Sequence, residues 1–340
     1  MNFGIIGCGL MGKHRAQAVT AIAQAHLISV FDPSENRALT LAKDFHCSAD
    51  ETVQALLARP EIDAVVIAVP HYLSKQICID ALHAGKHIFC EKPLGLSSSE
   101  CEEIIRECPP DRTAAVGFNY RFYPGVRQAM RMITDGSIGA LTHLRCVLGH
   151  GGRPGMEFEW KTSKAQCGGG SLLDPGIHFL DLIRQAGGEL AVNGAALTRS
   201  FWEVDVEDNA FLLLSAGETV EAQVHISLTE WKSRFSIDFF GTDGQLKLRG
   251  RSGFYGPQVL TYNRRWEWLQ PEFTATRTEY PLEDVSFTDE LRAFIATVEG
   301  RSSEPVGTAD DCLQLLRLVE GVYSATSIAT PKTALAATVR

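Results

Sequence analysis

A chain of 340 residues is longer than one hydrophobic core usually supports, and its 45% hydrophobic content is enough for two packed domains. A formal net charge of −9 with scattered signs offers no basic stripe and argues against nucleic acid as a partner. The nine cysteines (positions 8, 47, 78, 90, 101, 108, 146, 167 and 312) include no CxxC pair and are odd in number. They read as the reduced thiols of a cytoplasmic protein, not as a disulfide framework.

The first stretch, FGIIGCGLMGKH at 3–14, opens apolar, but no basic residue precedes it and no small-residue cleavage site follows, so it does not read as a secretion signal. No later run reaches the roughly 20 apolar residues that would span a bilayer, so no membrane partner is expected. The reading is a buried strand from Asn2 to Ile6, a glycine turn, and a helix from about Met11. In that context Gly7, Gly9 and Gly12 fit a G-x-G-x-x-G turn. Gly7 permits the tight turn, Gly9 lets the backbone approach a pyrophosphate, and Gly12 lets helix and strand pack closely. The helix start, at Leu10 and Met11, then turns its free N–H groups toward the phosphates. A glycine turn before an ordinary helix is the plainer alternative. The next strand, AHLISVFD, tips the balance by ending in Asp32, about 20 residues after the last glycine. A carboxylate there accepts hydrogen bonds from ribose hydroxyls and repels a 2′-phosphate, which favours NAD over NADP. Arg37 lies close enough to leave NADP use open.

Strand and helix go on alternating: the helices SENRALTLAKDF and ETVQALLAR, the apolar strand DAVVIAVP, the helix LSKQICIDALHAG and the strand HIFCEKP. The helix SSSECEEIIREC follows, with Ser97 to Ser99 as N-cap candidates, and then the strand TAAVGFN. That pitch predicts an α/β, doubly wound parallel sheet over residues 1–120, with ligands at the carboxyl ends of its strands. After about residue 120 the strands alternate apolar with polar and are joined by turns such as GTDG. Residues 121–340 therefore read as an α+β domain with an open-faced, mainly antiparallel sheet, closed by two helices.

Two stretches carry chemistry. In Glu91-Lys92-Pro93, at a strand end, the lysine could donate a hydrogen bond to a substrate oxygen, or be no more than an exposed lysine. In CGGGSLLDPGIHFLDL, Pro175 suits the first position of a helix, making Asp174 its N-cap. His178 then lies one turn in, on the face of Asp174. Histidine is the usual proton-transfer group near neutral pH, and a neighbouring carboxylate raises its pKa. A helix cap beside a buried structural histidine is the alternative.

The glycine turn, Glu91-Lys92-Pro93, and GGG-x-x-x-D-x-G-x-H-x-x-D from Gly168 to Asp181 resemble, in order and spacing, the glucose–fructose oxidoreductase/inositol dehydrogenase (Gfo/Idh/MocA) family over essentially the whole chain. The resemblance implies a Rossmann domain, an open-faced sheet used for substrate binding and oligomer contacts, and hydride transfer between NAD(P) and a sugar or cyclitol hydroxyl. It places the catalytic trio on Lys92, Asp174 and His178, which also bind substrate. It places further cofactor contacts on Pro70, His71 and Glu91. Many members carry Thr-Pro-Asn-x-x-His where this chain has Val69-Pro70-His71-Tyr72-Leu73-Ser74. His71 and Ser74 thus depart from the pattern, and His71 is a candidate for a substrate contact.

Hydride removal from a carbinol requires loss of the hydroxyl proton, for which His178 is the candidate base, oriented by Asp174. A cationic Lys92 would stabilise the developing alkoxide. No metal is required, and the scattered His and Cys residues offer no ligand set. Further substrate contacts are expected from Asn119 and Arg121, and from the loop at 149–166. There Arg153, Trp160 and Lys161 could hold an anionic group and stack on a sugar. That loop also resembles family members of surface-polysaccharide sugar metabolism. Two other functions compete: an NAD-dependent glycosidase acting by transient oxidation, and a non-catalytic dinucleotide or sugar sensor. An apolar sheet face such as that of EAQVHISLTEW predicts a homodimer or homotetramer.

Overall fold

Gly7 ends the first strand with φ +98°, and a side chain there would also strike the Ala68 carbonyl, so only glycine makes this turn. The computed structural model describes residues 1–266, 269, 275–301 and 306–330. In chain order the first elements are β1 (Asn2–Ile6), α1 (Leu10–Thr20), β2 (His26–Phe31), α2 (Glu35–Phe45), β3 (Ser48–Ala49) and α3 (Val53–Leu57). Then come β4 (Ala64–Ile67), α4 (His71–His83), β5 (His87–Glu91), α5 (Ser98–Glu107) and β6 (Ala114–Gly117). The middle of the chain holds α6 (Pro124–Thr134), β7 (Leu141–Gly149), the single turn α7 (Lys164–Cys167), α8 (Ile177–Gly187), β8 (Leu190–Thr198), β9 (Asn209–Ala216) and β10 (Val220–Ser227). It continues with β11 (Arg234–Gly241), β12 (Gly244–Arg249), β13 (Val259–Arg264) and β14 (Thr276–Glu279). The last elements are α9 (Ser286–Val298), β15 (Gly307–Thr308), α10 (Ala309–Ala325) and β16 (Ile328–Ala329).

Two units result. The first comprises Met1–Phe122 and Val285–Arg317, the second Tyr123–Asp284 and Leu318–Arg340. The opening stretch of the first unit ends at Phe122. Assignment of everything after it to the second domain is corrected, because 285–317 returns to the first unit. The reason is apolar: Leu291, Phe294 and Ile295 of α9 share a core with Phe3, Val30 and Phe89. The Phe294 ring meets Phe89 edge-on at 5.4 Å.

The first unit's sheet runs β15-β6-β5-β4-β1-β2-β3, parallel except for the short edge strand β15. Its central strand β4, Ala-Val-Val-Ile, is buried at every residue, as expected where helices cover both faces. The order reverses at β1, so the carboxyl ends of β1 and β4 flank the crevice where such sheets bind ligands.

The second unit's sheet runs β14-β13-β12-β11-β7-β10-β9-β8-β16. It is mainly antiparallel, with parallel pairing at β7–β10 in the middle and at β8–β16 on one edge. Alternation sets its faces. On β9, Ala210, Leu212 and Leu214 are buried, while Phe211 and Leu213 are 43% and 56% exposed. One face carries α8, whose Phe179 meets Phe235 of β11 edge-on at 5.2 Å. On the other face Phe211 stacks on His225 at 4.1 Å.

Candidate functional site

In the first unit the glycine turn leaves the start of α1 open. Gly9 is the N-cap and supplies no side-chain cap, and the first turn holds no acidic residue. A Cβ on Gly9 would meet nothing within 4 Å, whereas one on Gly12 would strike the Gly7 carbonyl. Leu10 beside it is 72% exposed. Free N–H groups at a helix start with open space in front make a phosphate cradle, so the residues fit a dinucleotide.

Asp32 follows directly on β2 and is 7% exposed. Its Oδ2 accepts from the Cys8 backbone N–H at 2.9 Å, and its Oδ1 accepts from Ser34 N–H at 2.8 Å and from Arg37 at 2.7 Å. Burial would raise its pKa, but these hydrogen bonds outweigh burial and hold it below the ordinary carboxylate value. Asp32 therefore also braces the glycine turn through Cys8, a task its sequence position did not reveal. Arg37 is half-exposed and bound to Asp32 through both Nε and Nη2.

Lys92 stands at the carboxyl end of β5, partly exposed, with a cis peptide to Pro93. The preceding Glu91 is held by buried Arg15 at 2.6 Å. Pro70 is the N-cap of α4 and His71 its first residue, 5% exposed. Ser74, at the position where the family pattern has histidine, donates to the carbonyls of His71 at 2.7 Å and Leu94 at 3.2 Å. It thereby ties α4 to the segment just after Lys92. Asn119 donates to Ser286 Oγ at 2.9 Å, and Arg121 pairs with Asp311 at 2.8 Å. Both side chains join the returning 285–317 segment to the turn that follows β6.

In the second unit the expected cap is corrected. Helix α8 begins at Ile177 with Gly176 as N-cap, so Pro175 is not its first residue and Asp174 does not cap it. The peptide between Asp174 and Pro175 is cis, and the Asp174 N–H donates back to Gly170 at 2.8 Å, closing a turn before the helix. The Asp174 carboxylate instead pairs with Lys161 at 2.9 Å, and that carboxylate holds the Lys161 ammonium above its ordinary pKa. Lys161 is thus engaged by Asp174 and also lies 5.6 Å from the Trp160 ring. Arg153, well exposed, pairs with Glu159 at 2.5 Å. His178 is 5% exposed, in the first turn of α8.

Two residues here escaped sequence reasoning. His150, just past β7, accepts from Gly152 N–H at Nδ1, 3.0 Å away. Burial lowers its pKa and the charge of Asp174 opposes this, while Arg251, Lys161 and Arg153 add to the lowering. The charges of Asp174 and Lys161 thus act on an imidazole that sequence shows only as a histidine just after a strand. Glu207 is 1% exposed; its Oε1 accepts from Leu172 N–H at 2.8 Å and Tyr323 O–H at 2.9 Å, and its Oε2 from Gly170 N–H at 3.1 Å. Burial raises its pKa against the effect of those bonds. Glu207 thereby fixes the glycine stretch that leads to Asp174. Among the described residues no cluster of three His, Cys, Asp or Glu side chains could hold a metal ion, and no helix is long and apolar enough to cross a membrane.

A largely parallel sheet, an open glycine turn before α1 and an acidic residue ending β2 define a dinucleotide-binding Rossmann unit, here joined to a second unit built on a mixed sheet. Residues 1–117 match the GFO/IDH/MocA oxidoreductase family with NAD-binding Rossmann fold, and residues 126–247 match the GFO/IDH/MocA C-terminal domain. The chain belongs to this NAD-binding oxidoreductase family. It is 29% identical over 273 residues to a 2,7-anhydro-N-acetylneuraminate hydratase of Mediterraneibacter gnavus, covering 74% of this chain and 71% of the relative. It is also 29% identical over 317 residues to an inositol 2-dehydrogenase of Saccharopolyspora erythraea, covering 90% and 87%. In fold it is similar to KijD10, a 3-ketoreductase from Actinomadura kijaniata solved with NADP and TDP-benzene. The TM-score is 0.83 at 23% identity, with 97% of this chain and 99% of that one covered.

Proposed function

We propose that the protein transfers a hydride between NAD and a hydroxyl or keto carbon of a sugar, sugar nucleotide or cyclitol. The observation that carries this reading is Lys92 at the carboxyl end of β5, in a sheet whose glycine turn and Asp32 fit a dinucleotide. When bound, the dinucleotide accepts or returns the hydride. Lys92 donates a hydrogen bond to the reacting oxygen and stabilises negative charge as it develops there. His178 takes the hydroxyl proton, or returns it in the reductive direction. Asp174, held by Lys161, orients the hydroxyl or the base. Asp32 favours NAD, while its pairing with Arg37 keeps NADP within reach.

A second reading is favoured by the similarity to a hydratase. If the hydride is taken and then returned to the same molecule, the net reaction is addition or loss of a small group and no NADH accumulates. The exposed apolar row at Phe211 and Leu213 supports self-association through the second sheet, as a homodimer or homotetramer. Nine free cysteines suit a cytoplasmic setting, and the 149–166 loop is in keeping with surface-polysaccharide sugar metabolism. The test is absorbance at the NADH wavelength with NAD and a panel of inositols, free sugars and nucleotide sugars, with product analysis alongside. A panel member oxidised with matching NADH supports the dehydrogenase; a member converted without NADH supports the second reading.

A further inference from the structure

An arginine inside a helix and fully buried is costly unless charges and hydrogen bonds surround it, and Arg15 of α1 has 0% exposure. Its Nε donates to Glu91 Oε1 at 2.6 Å and its Nη1 to Glu290 Oε2 at 2.7 Å. Its guanidinium lies over two rings, 4.4 Å from the centroid of Phe89 and 4.9 Å from that of Phe287. Three elements of the first unit are joined in this way: α1, which starts at the glycine turn; β5, which ends at Glu91 next to Lys92; and α9. One cation faces two carboxylates, and Glu290 Oε1 is buried without a hydrogen-bond partner among the described residues. An apolar trio of similar volume would hold the three elements together at least as well, so stability gives little reason for the charges.

We propose that Arg15, gripped between Glu91 and Glu290, is a positioning residue that fixes the Lys92 end of β5 to the cofactor helix α1. The inference rests on Lys92 acting on the reacting oxygen. The grip also carries a titration. Burial pushes the Glu290 carboxyl up to about 7, the positive charges of Arg15 and Arg121 oppose the rise, and the charge of Glu91 adds to it. Of the other groups here, Arg121 is paired with Asp311, and His14 of α1 stacks on Phe287 of α9 at 5.2 Å. When Glu290 loses its proton, Arg15 is drawn between two full negative charges, and its hold on Glu91 loosens.

The test needs no substrate. Lysines are reductively methylated with ¹³C-formaldehyde, which keeps their charge, and the Lys92 resonance is assigned by its loss in Lys92→Arg. In the wild type that resonance shifts with an inflection near pH 7. In Glu290→Gln, close in shape and free of the proton, the inflection disappears, while NADH affinity stays within about twofold because the glycine turn is untouched. Arg15→Lys, which keeps the charge but loses the fork, shifts and broadens the Lys92 signal. A Lys92 signal with the same pH profile in Glu290→Gln as in the wild type overturns the proposal, whether or not Arg15→Lys folds. If the inflection does vanish but Lys92→Ala retains full turnover on a substrate found by the panel, the grip stands and the catalytic role of Lys92 falls.

Discussion

Two glycine-rich stretches, Gly7 to Gly12 and Gly168 to Gly170, read alike in sequence and differ in what surrounds them. At Gly9 a side chain would enter empty space in front of an uncapped helix. At Gly169 and Gly170 a side chain would enter Tyr323 and the Glu207 carbonyl. Glycine facing space marks a place where something else must come close. Glycine facing protein marks a packed turn, here the one that carries Asp174. Under the proposed function the first stretch holds the dinucleotide and the second only supports its neighbours, so damage to the two should separate binding from stability.

The largest effects are expected not at the glycines but at Lys92 and His178. Lys92→Ala should lower kcat by about a hundredfold or more with NADH affinity little changed, because its hydrogen bond matters most in the transition state. His178→Ala should cost a comparable factor, and under the proposed mechanism the two losses should be less than additive. Steady-state kinetics with an NADH titration checks both, and near-wild-type turnover in either variant removes that residue from the mechanism.

Next in size is the glycine contrast itself. Gly9→Ala should weaken NADH binding by about tenfold while leaving the melting temperature in place, since a Cβ there meets no protein atom within 4 Å and would stand in the proposed phosphate cradle. Gly170→Ala should do the reverse, losing about 1–3 kcal/mol of stability by overpacking against Glu207, with NADH affinity retained. Fluorescence titration and thermal melts on both variants decide it. A smaller effect is expected at Asp32→Ala, which should narrow the preference for NADH over NADPH. It should also loosen the glycine turn, because Cys8 N–H loses its acceptor.

The smallest effect concerns pH and stability. Glu290 has its folded pKa raised from an ordinary 4.5 to about 7. Its contribution to stability is therefore fully present below about pH 4.5 and is lost as pH rises through about 7. Glu290→Gln should flatten the decline in melting temperature across that window; an unchanged slope would place the titration elsewhere.

Much of the first unit was legible because its signals are local. A buried strand, a glycine turn and Asp32 follow one another within a single β-α-β unit, and periodicity marks each element. The second unit was legible in class but less so in detail. Helix α8 is capped at Gly176, and the Asp174 carboxylate is taken up by Lys161, thirteen positions upstream. The grip of Glu207 on the glycine stretch and the return of α9 to the first core join residues far apart in the chain, and no window of sequence shows such pairs. His150 failed to stand out for the same reason, since its interest comes from the charge of Asp174, far away in the chain.

The account rests above all on direct hydride transfer from a polyol carbon. The most direct measurement is mass spectrometry of the dinucleotide after incubating the protein with NAD and carbon-deuterated myo-inositol or another panel member that is consumed. Deuterium in the recovered NADH, appearing about a hundredfold more slowly when Lys92→Ala replaces the wild type, is the predicted result. Consumption of the deuterated compound at the same rate with and without Lys92, with no deuterium in the dinucleotide, would contradict it.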